Sequence, residues 1–209
     1  MRHHRARANN GFGFTKAELR HLRPLRSPWE IQRYLNQLDY HLQDSAWSPR
    51  RVLVERTAHC LEAAIFAAAA LRLIGQPPLI VDLESVQDTD HVIAVYRTNK
   101  LWGALAKSNF SGLQYREPVY RTLRELVMSF FEQYFNLRAE RTLRAYSRPV
   151  DLSRFDHVEW MTTADNVWFI PEHLLEIPHL VVINGQVAKR LHRVDARSKA
   201  AGLLGYRWH

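Results

Sequence analysis

Apolar residues in the first third of the chain fall at helical spacing behind clear start signals. Ser27-Pro28-Trp29-Glu30 sets a capping hydroxyl, a proline at the first helical position and a glutamate at the reciprocal capping position. Tyr34, Leu35, Leu38 and Leu42 then share one face, which predicts a core-packed helix over 28–44. Ser48-Pro49 repeats the signal. A long helical pattern runs from there through Leu53, Cys60, Ile65, Phe66 and Leu73 to Gly75, where Pro77-Pro78 follows and stops it. A break near Thr57 fits this pattern; with Thr57 as a cap, Cys60 falls in the first turn of the second segment. The alanine-rich stretch 63–70 lets that segment lie close against a sheet.

The period then changes to that of strands. Leu79–Leu83 is short, apolar and rich in β-branched residues, Ser85–Asp90 is a polar loop, and His91–Arg97 continues through Val92, Ile93, Ala94, Val95 and Tyr96. Thr98-Asn99-Lys100 predicts a hairpin turn into Leu101–Lys107, with Asn109 at the end of the second strand. Glu117-Pro118 predicts a further helix over 117–136, whose stripe of Leu123, Leu126, Val127, Phe130, Phe131, Tyr134 and Phe135 is broad enough to face a core. From Val150 to Ile183 short apolar runs interrupted by Asp165-Asn166, Pro171 and Pro178 predict more strands and turns.

Composition narrows the class. The 209 residues are 46% hydrophobic and 24% charged, an ordinary globular balance. The longest apolar run, Ala63–Leu71, is far short of the roughly 20 residues a membrane-crossing helix needs, so a soluble protein is expected. One cysteine rules out an internal disulfide or a Cys-Cys zinc site and favours a reducing compartment. The Arg-rich start has no apolar h-region behind it, so no secretory signal is expected and the cytoplasm is the default location. The net charge of +8 sits at the two ends. Arg2, Arg5, Arg7, Lys16, Arg20, Arg23 and Arg26 stand against Glu18 in residues 1–26, and Lys189, Arg190, Arg193, Arg197, Lys199 and Arg207 against Asp195 in 189–209. The body between them carries more acid than base. The simplest division is a basic N-terminal segment 1–26, one domain over 27–188, and a basic C-terminal tail 189–209.

A thiol near a helix start, followed by a strand opening on His and a second strand closing on an amide, is the arrangement with chemical content. The residues are Arg56-Thr-Ala-His-Cys60-Leu-Glu-Ala-Ala, Asp90-His91-Val-Ile-Ala-Val and Trp102-Gly-Ala-Leu-Ala-Lys-Ser-Asn109. Their order resembles the transglutaminase-like superfamily of papain-like cysteine hydrolases, over a core of roughly residues 50–136. The resemblance implies an α+β fold in which an antiparallel sheet packs on the helix carrying the single Cys. It also implies Cys60 as nucleophile, His91 as base and an Asp or Asn to orient the ring. The usual aspartate is missing. A two-residue turn at Asn99-Lys100 brings Ser108 opposite His91, whereas a three-residue loop or a bulge at Gly103 brings Asn109; the amide of Asn109 is preferred because its carbonyl can hold the imidazole tautomer. The resemblance further implies attack on a peptide or carboxamide carbonyl through a thioester, with peptide hydrolysis favoured over cross-linking by analogy with bacterial members of similar size.

A free thiol titrates near ~8.5, so little of it is thiolate at neutral pH. A helix end contributes roughly 0.3 to 1 kcal/mol, less than the ~1.36 kcal/mol of one pKa unit. A protonated His91 beside Cys60 must therefore supply most of the activation, while His59, about 100° away on a helix, is expected to be a surface or supporting group. Eleven His are scattered without metal-ligand spacing, and no Gly-rich phosphate loop occurs, so neither metal nor cofactor is expected. Asp82, Glu84, Asp88 and Asp90 are expected to be solvated loop carboxylates. Trp160, Trp168 and Trp208 are candidates for lining a groove. The rival function is a non-enzymatic module on the same scaffold, whose basic ends bind an acidic partner protein, RNA or a membrane surface.

Overall fold

The computed structural model describes residues 11–208 as an α+β fold built on one antiparallel sheet. Helices α1 (Lys16–Leu22), α2 (Pro28–Gln37) and α3 (Pro49–Glu55) each start on a side-chain cap, from Thr15, Ser27 and Ser48. The second stops at Gln37, earlier than the apolar spacing predicts. Leu38 is extended, and the N–H of Asp39 donates to the carbonyl of Arg56 instead of continuing the helix. The ammonium of Lys107 donates to the carbonyls of Leu35 and Leu38 at 3.1 and 2.7 Å, closing the free C-terminal end of α2.

Helix α3 ends at Arg56, whose φ of 58° is left-handed. The chain turns there, and α4 (Cys60–Leu73) begins four residues on with His59 as its cap. Thr57 is not that cap; its hydroxyl donates to the carbonyl of Asp39 and ties the 39–48 segment to the break. Every residue of α4 from Leu61 to Leu71 is buried, and the alanines allow close approach to the sheet.

Strands β1 (Leu79–Ser85), β2 (His91–Thr98), β3 (Leu101–Leu105) and β4 (Arg116–Tyr120) follow. Then come α5 (Leu123–Phe131), β5 (Leu143–Ser147), β6 (Val150–Asp151), a 3-10 segment over Leu152–Val158, α6 (Phe169–Glu176), β7 (His179–Val181), α7 (Gly185–Ala188) and α8 (Ala196–Gly202). The sheet runs β4-β3-β2-β1-β5-β7, with β6 also paired to β1. The helix predicted over 117–136 loses its start to edge strand β4, where burial alternates, and is capped by Thr122 instead. Among the described residues no helix is long and apolar enough to cross a membrane.

Both faces of the sheet are covered, which is why β1 and β2 read as nearly continuous apolar runs. Ile80, Val92, Ala94 and Tyr96 join the core around α4, while Val81, Leu83, Ile93 and Val95 join the core around α5. Successive residues of β2 thus serve opposite layers. The β2–β3 hairpin turns on Asn99 and Lys100, both at positive φ (52° and 68°), and pairs Thr98 with Leu101.

The basic end segments are not appendages where the structure describes them; residues 1–10 lie outside that range. Leu19, Leu22 and Leu25 join the α4 core, and Arg50 holds Glu18 at 2.6 Å. At the other end Val194 is buried against Phe135 and Ala139, and α8 docks on the loop after β3 through Ser111, whose N–H donates to Gly202. A methyl group on Gly202 would come within 2.4 Å of the buried Phe135 ring. Gly202→Ala is therefore expected to cost about 1–3 kcal/mol in urea denaturation. A neutral outcome would mean that α8 is loosely held.

Candidate functional site

Cys60 is the first residue of α4, and its thiol points to the carbonyl of Asp90 at 3.9 Å, in the turn that enters β2. It is partly exposed rather than sealed among the alanines. Two cavities, of about 430 and 520 Å³, meet at this sulfur. Tyr40, from the extended 39–48 segment, lines both. Burial first, then the charge of Cys60, pushes its pKa well up. Tyr40 therefore keeps its proton and its O–H remains a donor beside the sulfur.

His59, next to Cys60 in the chain, lines the larger cavity together with it. As the helix cap it has extended backbone (φ −92°, ψ −173°), so the 100° step between neighbouring helical side chains does not apply. Its Nε2 lies 2.8 Å from the carbonyl of Ser45 and must donate there, which leaves Nδ1 as the nitrogen with a lone pair. Burial pulls the His59 pKa down, but the neighbouring Cys60 and Glu62 outweigh that, and the net direction is up.

His91 has a different setting. Its odd position in β2 turns the ring to the α5 side, where it packs edge-on to Phe130 and Tyr134 at centroid distances of 6.5 and 6.4 Å. Its Nε2 is 3.1 Å from the carbonyl of Leu113, and among the described residues no hydrogen bond joins it to Cys60. The ring still lines the smaller cavity together with Cys60. Complete burial lowers its pKa to about 4, so it is neutral at pH 7 and not the imidazolium expected to activate the thiol. Nor does Asn109 hold it: the amide donates to the carbonyl of Arg207 at 2.9 Å and accepts from the Arg207 N–H at 2.8 Å. The two-residue turn explains this, because pairing of Ala94 with Leu105 counts on to Ser108 opposite His91, past the end of β3. Ser108 accepts from the N–H of Phe110 instead.

Burial of His91 has a consequence for stability. Between an ordinary ~6.5 and about 4 the unfolded chain binds a proton at this ring that the folded chain refuses, so this contribution falls as pH drops, by up to about 3 kcal/mol. Asp82, raised to about 6 by burial, works the other way between 3.8 and 6, because its folded carboxyl holds the proton longer. Comparison with His91→Gln isolates the histidine. The gap in urea stability between the two proteins should narrow between pH 7 and 4.5; parallel losses would mean that His91 titrates normally.

Glu62 organises the surroundings. Fully buried, it accepts from His41 Nε2 at 2.6 Å, Ser45 Oγ at 2.8 Å and the N–H of Trp47 at 3.0 Å, fixing the 39–48 segment over the start of α4. His41, His59 and Glu62 place three potential metal ligands within 4.8 Å. The hydrogen bonds argue for protons there rather than an ion. His41 Nδ1 accepts from the N–H of Gln43, so its Nε2 carries hydrogen toward Glu62, and His59 Nε2 donates to Ser45; both nitrogens facing the cluster are committed as donors.

Three of the four carboxylates expected to be solvated are partnered instead, while the side chain of Glu84 stays 45% exposed. Asp90 accepts from the N–H and hydroxyl of Ser85, Asp88 accepts from the hydroxyl of Thr142, and buried Asp82 lies 3.0 Å from His179 Nε2. Trp168 lines the larger cavity, as a groove tryptophan would, whereas Trp160 is fully buried. Tyr40 and Glu62 were missed because their roles depend on the turn at Arg56; the Glu three residues after the His59 cap was the available signal. The chain matches no known family profile, and no curated protein shows significant sequence similarity to it.

Proposed function

We propose that this chain is a thiol-dependent acyl-transfer enzyme on a transglutaminase-like scaffold, acting on a peptide or carboxamide carbonyl through a thioester at Cys60. One observation carries the proposal: Cys60 stands partly exposed at the start of a buried helix and lines two cavities, both shared with Tyr40 and the larger also with His59. The order of Cys-bearing helix, His-opening strand and antiparallel partner strand favours the transglutaminase-like reading of the scaffold. The base differs from the one that resemblance implies.

In the proposed reaction the thiol proton passes to Nδ1 of His59 as sulfur bonds to the carbonyl carbon. The Tyr40 O–H donates to the oxyanion that forms. The oxyanion collapses, the C–N bond breaks, and the amine leaves with the proton returned by His59. Water, or a second amine, then attacks the thioester carbon and gives its proton to the same nitrogen. The C–S bond breaks, and the sulfur recovers the proton. The raised His59 pKa suits an imidazole that takes the thiol proton and holds it until the amine leaves.

Alkylation by iodoacetamide across pH tests this. The rate at Cys60 should show an inflection below pH 8. A rate that rises only with the ordinary ~8.5 of a free thiol would remove the proposal. Tyr40→Phe should leave that profile in place but slow turnover of a responsive amide by about 10²-fold, the scale of a lost oxyanion donor.

A further inference from the structure

The larger cavity, on the α6 side of Cys60, has a chemistry of its own. Val92, Leu174 and Trp168 give it apolar walls, three aspartates (Asp44, Asp82 and Asp90) line it, and no lysine or arginine does. Asp82 is the informative one. It stands on the α4 side of β1, opposite Val92 in the ladder, with a side chain only 5% exposed. His179 engages its Oδ2, and among the described residues no hydrogen bond reaches its Oδ1. The other oxygen of this largely buried carboxylate is left to solvent, in a cavity that Cys60 also lines, so a cationic donor from outside the chain can replace water there.

We infer that this cavity seats a lysine or arginine side chain of the substrate, on the residue whose carbonyl Cys60 attacks, with its methylenes along Val92 and Leu174 and its cationic head on Oδ1 of Asp82. This rests on the proposed role of Cys60 and adds the substrate class to it. A leucine in the same place would cover the walls but strip water from Oδ1 without replacing its hydrogen bond, which is unfavourable. A glutamate would meet the like charge of Asp82. Long basic side chains suit the site because their stems are apolar and only their tips are charged.

The test uses three peptidyl chloromethyl ketones that differ only in the residue next to the warhead, Lys, Leu or Glu. The second-order rate of Cys60 alkylation is read by mass spectrometry, with iodoacetamide alongside. The lysine probe is expected to react at least 10-fold faster than the leucine probe, with glutamate slowest. In Asp82→Asn the lysine-to-leucine ratio should fall to about one. If that variant does not fold, the ranking on the unaltered chain decides alone. Iodoacetamide labelling with its inflection below pH 8 but no preference for lysine would overturn this inference and leave the acyl-transfer proposal standing. Labelling by none of the reagents faster than a free cysteine would overturn both.

Discussion

Replacing His59 with glutamine is expected to slow alkylation of Cys60 at pH 6.5 by about 10- to 100-fold, whereas His91→Gln should change it by less than about threefold. The size follows from what a positioned imidazole contributes, typically 10²–10⁴ to a proton transfer, and from the small thiolate fraction of an unassisted thiol at that pH. The difference follows from geometry. His59 lines the larger cavity beside Cys60 and its pKa is shifted up, while His91 is spent on the Leu113 carbonyl and is neutral at pH 7. The measurement is the rate of mass gain on Cys60, with circular dichroism to show that both variants fold. Loss of reactivity in His91→Gln with retention in His59→Gln would return the base to the strand and require the α5 layer to rearrange when substrate binds.

Glu62→Ala should cost about 3–5 kcal/mol of folding stability, the range for removing one member of a buried charged network. The alanine would strand the hydroxyl of Ser45, the N–H of Trp47 and the Nε2 hydrogen of His41, none of which reaches solvent easily. Glu62→Gln keeps the shape and one acceptor oxygen and should lose about half as much. Urea denaturation at pH 7 measures both, and a loss below about 1 kcal/mol for the alanine variant would show that the 39–48 segment is held by other means. Tyr40 and His41 belong to that segment. Weakening it should therefore also lower Cys60 reactivity before the fold is lost.

Much of the framework was legible in the chain itself. Ser27-Pro28 and Ser48-Pro49 start helices where their capping chemistry says, the alanines of α4 lie against the sheet, and the turn at Asn99-Lys100 has the two residues that one alternative required. What was not legible depends on contacts distant in sequence. Helix α2 stops at Gln37 because Asp39 finds Arg56, a bond that no local spacing announces. Residues 116–120 become a strand because β3 offers an unpaired edge, overriding the helix signal of Glu117-Pro118. For the site, Cys60 at a helix start was readable, but the choice of imidazole turned on parity. A single residue in β2 decides which layer a ring joins, and the helix cap, not the helix, decides where His59 points.

The position of the sulfur at the meeting of two hollows has a practical side. Any adduct formed there, such as a mixed disulfide with glutathione, would occupy both hollows at once, so under the proposed function one reversible oxidation would stop the reaction. Tests of the proposed acyl transfer therefore call for purification under reducing conditions.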